Sequence, residues 1–357
     1  MPTPSQMAKA RQALMRQSQA LTLVHLAVSK PYCVLQIDWM HANPSEINYS
    51  QLTTVRNAER YLQAESILMA ADGRREDAVK NAALGFKISR QAENGKSSIA
   101  YLVGVACNAM TLGSMRKILY LYGDRPGVAL LVHDEVANNF RAPSAAAGMR
   151  TELVLNIGLV EYLRTAGWGA LYYMAGEKPS LRDRIYNSAF LTGHTWDIQL
   201  NYNGVLIIRQ SRQAIFVADR PFYMARPTLA ALSAALNKKS KLYGLTKVML
   251  PNFEKMVGRR AQVQDNAEIV MLASLLIDKH NRNPNYPLST PTPIDVYSGK
   301  PLQYRLEGDG FVIYTPGFDG TFDGGTETVR PKIAGYVFHY PIPSYYSTPE
   351  QKSQGPS

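Results

Sequence analysis

The sequence predicts a mainly α protein: a multi-helical, irregular and repeat-like array followed by a small α+β module with an antiparallel β-hairpin. Three observations carry that expectation. Apolar residues recur at three- and four-residue steps through the first half of the chain, with glycine or proline breaks at 73, 95 and 126. Two strand-like runs, Leu302 to Leu306 and Phe311 to Thr315, flank Gly308-Asp309-Gly310, a hairpin signal. The composition, 46% hydrophobic and 19% charged over 357 residues, supplies enough apolar surface to bury a sizeable core. The implied organisation is a helical array over 1–250, the α+β module over 251–345 and a Ser-, Gln- and Pro-rich disordered tail over 346–357.

In order, residues 7 to 30 read as one Ala-, Leu- and Gln-rich helix ended by Pro31. The next helix starts near Ser50. Leu52, Val55, Ala58, Leu62 and Met69 give it one apolar face, and Asp72-Gly73 stops it. A helix from Arg75 carries Ala78, Val79, Ala82, Ala83, Phe86 and Ile88 up to Asn94-Gly95. The uncharged stretch Ser97 to Met115 is long enough for a bilayer span, but its serines, Asn108 and Thr111 fit a buried bundle helix better. Val128 to Phe140 follows, so residues 7 to 140 are expected to form consecutive antiparallel helices.

Ala70-Ala71-Asp72-Gly73 with Ala78 and Ala82 looks like one tetratricopeptide-type turn, yet no regular repeat period is present. Residues 141 to 204 are rich in aromatics, among them Tyr162, Trp168, Trp196 and Tyr202, which read as core packing or as a ligand groove. Val205 to Ile208 fits a strand or a buried helix. From Pro227 to Ile277 the pattern is helical again, with breaks near Gly244, Pro251 and Gly258.

The net charge of +11 favours acidic partners without choosing among them. Over half of it lies in residues 238 to 260, where Lys238, Lys239, Lys241, Lys247, Lys255, Arg259 and Arg260 face one acid, Glu254. No aromatic interleaving or recognition-helix signature accompanies this basic stretch, so sequence-specific nucleic-acid binding is not expected. It reads instead as a solvated or membrane-facing basic surface, and a membrane or anionic envelope surface is one partner it could reach through Lys238, Lys239, Lys241, Lys247, Arg259 and Arg260. The two cysteines, Cys33 and Cys107, sit in apolar surroundings outside any CxxC spacing; they read as small buried hydrophobes, and a disulfide between them is not legible. The N-terminus, MPTPSQMAKARQ, lacks the apolar core of a signal peptide.

Catalytic patterns are not found. The six histidines form no HExxH or other ligand spacing, and GxSxG, P-loop and dinucleotide fingerprints are missing. His133-Asp134-Glu135 places three polar groups in a row, but consecutive helical positions face different ways. One segment carries metal chemistry. In the Asp-Gly-rich loop after the hairpin, Asp319 and Asp323 stand four apart among glycines that let a loop curl round an ion. Calcium takes several oxygen ligands, so carbonyls, water or Glu327 would have to complete the shell. The same loop also reads as a plain Gly-Asp turn with solvated carboxylates.

A helix from Ala261 to His280 runs into Asn283-Pro284-Asn285-Tyr286-Pro287. Then come Asp295-Val296-Tyr297-Ser298-Gly299-Lys300-Pro301-Leu302-Gln303-Tyr304 and Tyr314-Thr315-Pro316-Gly317-Phe318-Asp319-Gly320. This ordered set resembles the globular part of the major pseudopilin of type II secretion systems, over residues 255 to 335. The resemblance implies a calcium-binding loop, with Asp319 and Asp323 as side-chain ligands and Pro316 offering its carbonyl. The chain departs from that family in its long preceding helical region and in lacking the hydrophobic filament helix. The whole chain also resembles uncharacterised bacterial envelope proteins, in which a helical region precedes the same ending after an N-terminal membrane anchor that is not seen here. The location implied is extracytoplasmic, in the cell envelope.

The function expected is therefore a non-enzymatic structural or scaffolding protein that contacts other protein subunits, with a structural calcium loop. An enzyme or carbohydrate-binding protein using residues 160–225 is the first alternative, and a basic nucleic-acid binder the second.

Overall fold

The computed structural model describes residues 3–35, 37, 47–174, 194–239, 243–315 and 337–341. It is a mainly α fold with a small antiparallel sheet, as the patterning predicts. Where residues 7 to 30 read as one helix, two are found, α1 (Pro4–Arg16) and α2 (Ser18–Ser29), divided at Gln17. Helix α1 starts with a capping box, Thr3 and Gln6 each bonding the other's backbone N–H. It has no buried residue; its edge is held in part by an Arg11–Asp72 ion pair.

Helices α3 (Ser50–Ala71), α4 (Arg75–Glu93) and α5 (Ser98–Tyr122) follow, and each packs on the other two. Their boundaries fall at the expected glycines. Gly73, with φ 85°, makes the turn after α3, a left-handed conformation open to glycine at little cost. Ser97 caps α5 through the Ala100 N–H. Although α5 is apolar and long enough to cross a bilayer, it is the central helix, buried against α3, α4, α6 (Val128–Asn139) and α7 (Ala145–Ala166). Val205 to Ile208 lies within a helix, α9 (His194–Val217), which follows the short α8 (Gly169–Met174) and packs along α7.

Helix α10 (Phe222–Asn237) carries Pro227 inside it, and α11 (Gly244–Met249) is short. Helix α12 (Phe253–Arg282) then runs thirty residues without the break expected at Gly258. That glycine is buried with Val257 and Ala261. The close packing there outweighs glycine's helix cost of about 1 kcal/mol.

Helix α12 is the second central element. Val257, Ala261, Ile269, Val270, Ala273, Leu276 and Ile277 are all at most 2% exposed, and α12 packs against α5, α6, α7 and α10. Tyr101 of α5 donates to the Met256 carbonyl at 2.8 Å, tying the two central helices together. The sheet comprises β1 (Gln303–Glu307), β2 (Gly310–Tyr314) and β3 (Val337–Tyr340) in that order, all antiparallel. The β1–β2 hairpin turns at Gly308, φ 57°, with Gln303 opposite Tyr314. Strand β3, which the sequence pattern did not announce, pairs Phe311 with Tyr340 and Ile313 with Phe338. Arg116 of α5 donates to the Val337 carbonyl and lies over the Phe338 ring at 5.5 Å, so β3 is fixed to the helical body. One buried apolar cluster runs through α3–α7, α9, α10, α12 and the sheet, from Ala70 to Phe338.

Candidate functional site

Three polar constellations are built into the helical body, and one long face has no neighbour among the described residues. The first constellation lies between α3, α4 and α5. Glu59 is 1% exposed; its Oε1 accepts from Thr111 Oγ1 at 2.9 Å and from Gln63 Nε2 at 3.3 Å. Its Oε2 has no hydrogen-bond partner among the described residues. Burial pushes the carboxyl up to about 8, although the Thr111 and Gln63 bonds pull it down. Gly85 makes room for it: a Cβ there would overlap Thr111 Oγ1 and both Glu59 oxygens. Beside it Cys107 is fully buried, and its thiol is pushed up to about 12 by burial and by Glu59. Cys33 and Cys107 are both free thiols.

The second constellation is the start of α7. Ser144 caps the helix through the Ala147 N–H and donates its hydroxyl to Asp219 at 2.7 Å; Asp219 also accepts from the Ala146 N–H. Glu93 accepts from the Ser144 N–H, and burial raises its carboxyl to about 7 despite that bond and Arg90. Acids gather here because the unpaired N–H groups and the helix dipole favour negative charge. A 360 Å³ cleft opens beside them, edged by Lys96 and Arg150.

The third constellation joins the loop before the hairpin to α12. Asp295 is fully buried. Its Oδ1 accepts from the Tyr297 N–H and its Oδ2 from the Ser298 hydroxyl, both at 2.7 Å. Asp265 of α12 accepts from the Val296 N–H at 2.8 Å, and its carboxyl is raised by burial and by contact with the Asp295 carboxyl. Gly299, φ 75°, lies so close to the Tyr223 ring that a Cβ would come within 2.9 Å of it. The segment Asp295 to Gly299, singled out in the sequence for its resemblance, is thus a buried clamp that sets the hairpin on α12.

The unpartnered face is on α9. Ile198, Tyr202, Val205, Arg209, Arg212 and Phe216 follow one another at alternating four- and three-residue steps. Ile198, Tyr202, Val205 and Phe216 are 53%, 54%, 59% and 72% exposed, and both arginines are exposed. That spacing keeps them on one line along the helix, the seam a second helix would cover. The opposite side of α9 is packed: Trp196, Leu200 and Ile207 are buried against α7, with Trp196 Nε1 donating to the Leu163 carbonyl at 2.9 Å. At its C-terminal end the seam enters an open groove of 850 Å³ between α9 and α10. Phe216, Val217 and Leu232 form its apolar surface, while Arg212 and Arg220 edge it. Arg220 stacks on Phe216 at 4.5 Å.

The residues expected to carry function are placed as follows. Pro316, Asp319, Asp323 and Glu327, the calcium candidates, lie outside the described residues, as do Lys241, Tyr186, Phe190 and the tail. Among the described residues no group of His, Cys, Asp and Glu gathers in a metal-holding arrangement. Two cations of the basic stretch bond backbone carbonyls. Arg260 donates to the Pro143 carbonyl at 3.0 Å and Lys247 to the Lys239 carbonyl at 2.9 Å, whereas Lys238, Lys239, Lys255 and Arg259 are exposed. His133 bonds only its neighbour Asp134, at 3.0 Å, and Glu135 bonds Asn139 one turn on. Of the aromatics, Trp196 is core and Tyr202 is surface. The α9 seam was not singled out in the sequence. Its heptad spacing was the available signal, but a buried helix face shows the same spacing. No protein-family model, curated protein or solved structure matches this chain.

Proposed function

We propose that the protein is a non-enzymatic scaffold of the cell envelope that holds other protein subunits through the outer face of α9 and α10. The observation that carries this reading is the exposed seam from Ile198 to Phe216, continuous with an apolar groove. Large apolar side chains aligned over five helical turns lower their free energy when a partner covers them. The buried acids support the same reading from the other side. Glu59 joins α3 to α5 through Thr111, and Asp265 and Asp295 hold backbone N–H groups of the 295–299 loop, so each carboxyl has a structural use.

The cell-envelope location and the calcium loop at Asp319 and Asp323 belong to this proposal through the pseudopilin-like ending. That loop joins β2 to β3, which pair in the sheet, so a bound cation would brace a connection between neighbouring strands. The test is the size of the native assembly. Protein isolated from its source is expected to migrate as a complex on gel filtration, and Val205→Asp with Phe216→Asp to release it as a smaller species. A wild-type chain that migrates at its own mass of 39.7 kDa, unchanged in the variant, would overturn the reading.

A further inference from the structure

Resting on the scaffold reading above, we infer that the α9 seam and the α9–α10 groove dock an acidic amphipathic helix. Its apolar turns lie over Ile198, Tyr202 and Val205, and its carboxylates over Arg209, Arg212 and Arg220.

Four observations assign that occupant. The seam residues Ile198, Tyr202, Val205, Arg209, Arg212 and Phe216 repeat every four and three residues, the period at which one helix meets another. The seam spans nineteen residues, which at the helical rise is about 27 Å, room for a partner of five turns. Beyond the seam, Ala231, Ala234 and Ala235 on α10 are exposed small side chains, which let a partner's backbone come close at the groove.

Charge decides the chemistry. Arg209, Arg212 and Arg220 form no ion pair with any described residue. The nearby acids are already engaged: Asp197 bonds Arg164, and Asp219 caps α7 through Ser144 and Ala146. The C-terminal half of the seam therefore offers fork-shaped cations beside an apolar floor, a setting in which carboxylates on a desolvated helix face bind strongly. A bilayer fits less well. Arg209 and Arg212 lie on the seam line itself, between Val205 and Phe216, so membrane burial of that line would bury both charges. Nucleic acid would leave the Ile198–Val205 half without a use.

The test uses the full chain and a fluorescein-labelled synthetic three-heptad helical peptide. It has Leu at the seam-facing positions of one half and Glu at those of the other. Matched peptides carry Gln or Lys in place of Glu. By fluorescence anisotropy the Glu peptide is expected to bind at least about tenfold tighter than the Gln peptide. Added salt should weaken the Glu peptide alone. Arg209→Glu with Arg212→Glu is expected to reverse the order, making the Lys peptide the best ligand. Phe216→Ser is expected to weaken all three peptides and keep their order. All these side chains are exposed, and circular dichroism of each variant checks that the fold is kept. Equal affinity for the Glu and Gln peptides, no saturable binding, or an order unchanged by charge reversal would overturn the proposal. So would tighter binding of phosphatidylglycerol vesicles or of a single-stranded oligonucleotide that displaces the Glu peptide. If the native assembly dissociates with Val205→Asp and Phe216→Asp but ignores the charge reversal, the acidic helix is wrong and the scaffold reading stands.

Discussion

At the centre of the molecule, α4, α5 and α12 bury side chains on nearly every side; at its edge, α9 buries one face and leaves the other bare. Both regions contain apolar residues at helical spacing. In the centre Phe86, Leu112, Ile118, Leu119, Val270 and Ile277 are at most 1% exposed. On the outer line of α9 the apolar residues stand at half exposure or more. The two regions also treat polar groups differently. Central Glu59 and Asp265 are packed among fixed donors, while Arg209 and Arg212 on the edge project into solvent. Side chains at the centre determine whether the chain folds. Those at the edge are free to serve something outside the chain. This separation is what one expects of a scaffold, because a docking face must be exchangeable without loss of the body that carries it.

The sharpest way to break the comparison is to disturb the packing at the centre. Phe86→Ala removes a ring that is 1% exposed and packs edge-on against Phe140 at 5.9 Å. It is expected to cost about 3–5 kcal/mol in urea unfolding. Gly85→Ala is expected to cost about 1–3 kcal/mol by overpacking, since the new methyl overlaps Thr111 and Glu59. A loss smaller than about 0.5 kcal/mol for either would show that the centre is looser than its contacts imply.

The pH dependence sharpens the same contrast. Glu59 has its folded carboxyl raised from 4.5 to about 8 by burial, so the fold prefers the protonated form. Its contribution is fully present below the unfolded value, and is lost as pH rises from about 4.5 through about 8. Glu59→Gln, which keeps the shape without the charge, is expected to flatten the fall in unfolding free energy over that window. A wild-type profile as flat as the variant's would contradict it.

The outer seam should behave in the opposite way. Val205→Ser and Tyr202→Ser are expected to leave stability within about 0.5 kcal/mol of wild type while weakening the assembly. The smallest effect is assigned to the loop of the module. Chelating calcium is expected to lower the melting temperature slightly in wild type and not in Asp319→Ala, because an ion bound only by the folded form shifts the equilibrium. A melting temperature indifferent to calcium would make that loop a plain Gly-Asp turn.

The sequence announced most of the helical body because its breaks are local chemistry. Gly73, Asn94-Gly95 and the Gly123-to-Pro126 stretch end or separate helices wherever the chain is packed, and the Gly308-Asp309 turn makes its hairpin without help. Burial decided one point the pattern missed. Gly258 continues α12 where it is buried with Val257 and Ala261. The break at Gln17 has no packing explanation, since α1 buries no residue. Strand β3 draws its stability from β2 and Arg116, distant in the chain. The site was less legible for a related reason. Ile198, Tyr202 and Val205 have the spacing of a core face, and only their exposure, with no neighbouring element among the described residues, sets them apart as the proposed docking seam. Likewise Asp295 gave no sign of pairing with Asp265, thirty residues away in the sequence.

The most direct measurement is a photoreactive amino acid placed at Val205 in the full chain, expressed in its own cell and compared with the same probe at exposed Lys255. The expected result is a discrete protein adduct from position 205, mapping to an acidic amphipathic segment of the partner, and none from position 255. Equal labelling at the two positions, or adducts with lipid or nucleic acid alone at 205, would contradict it.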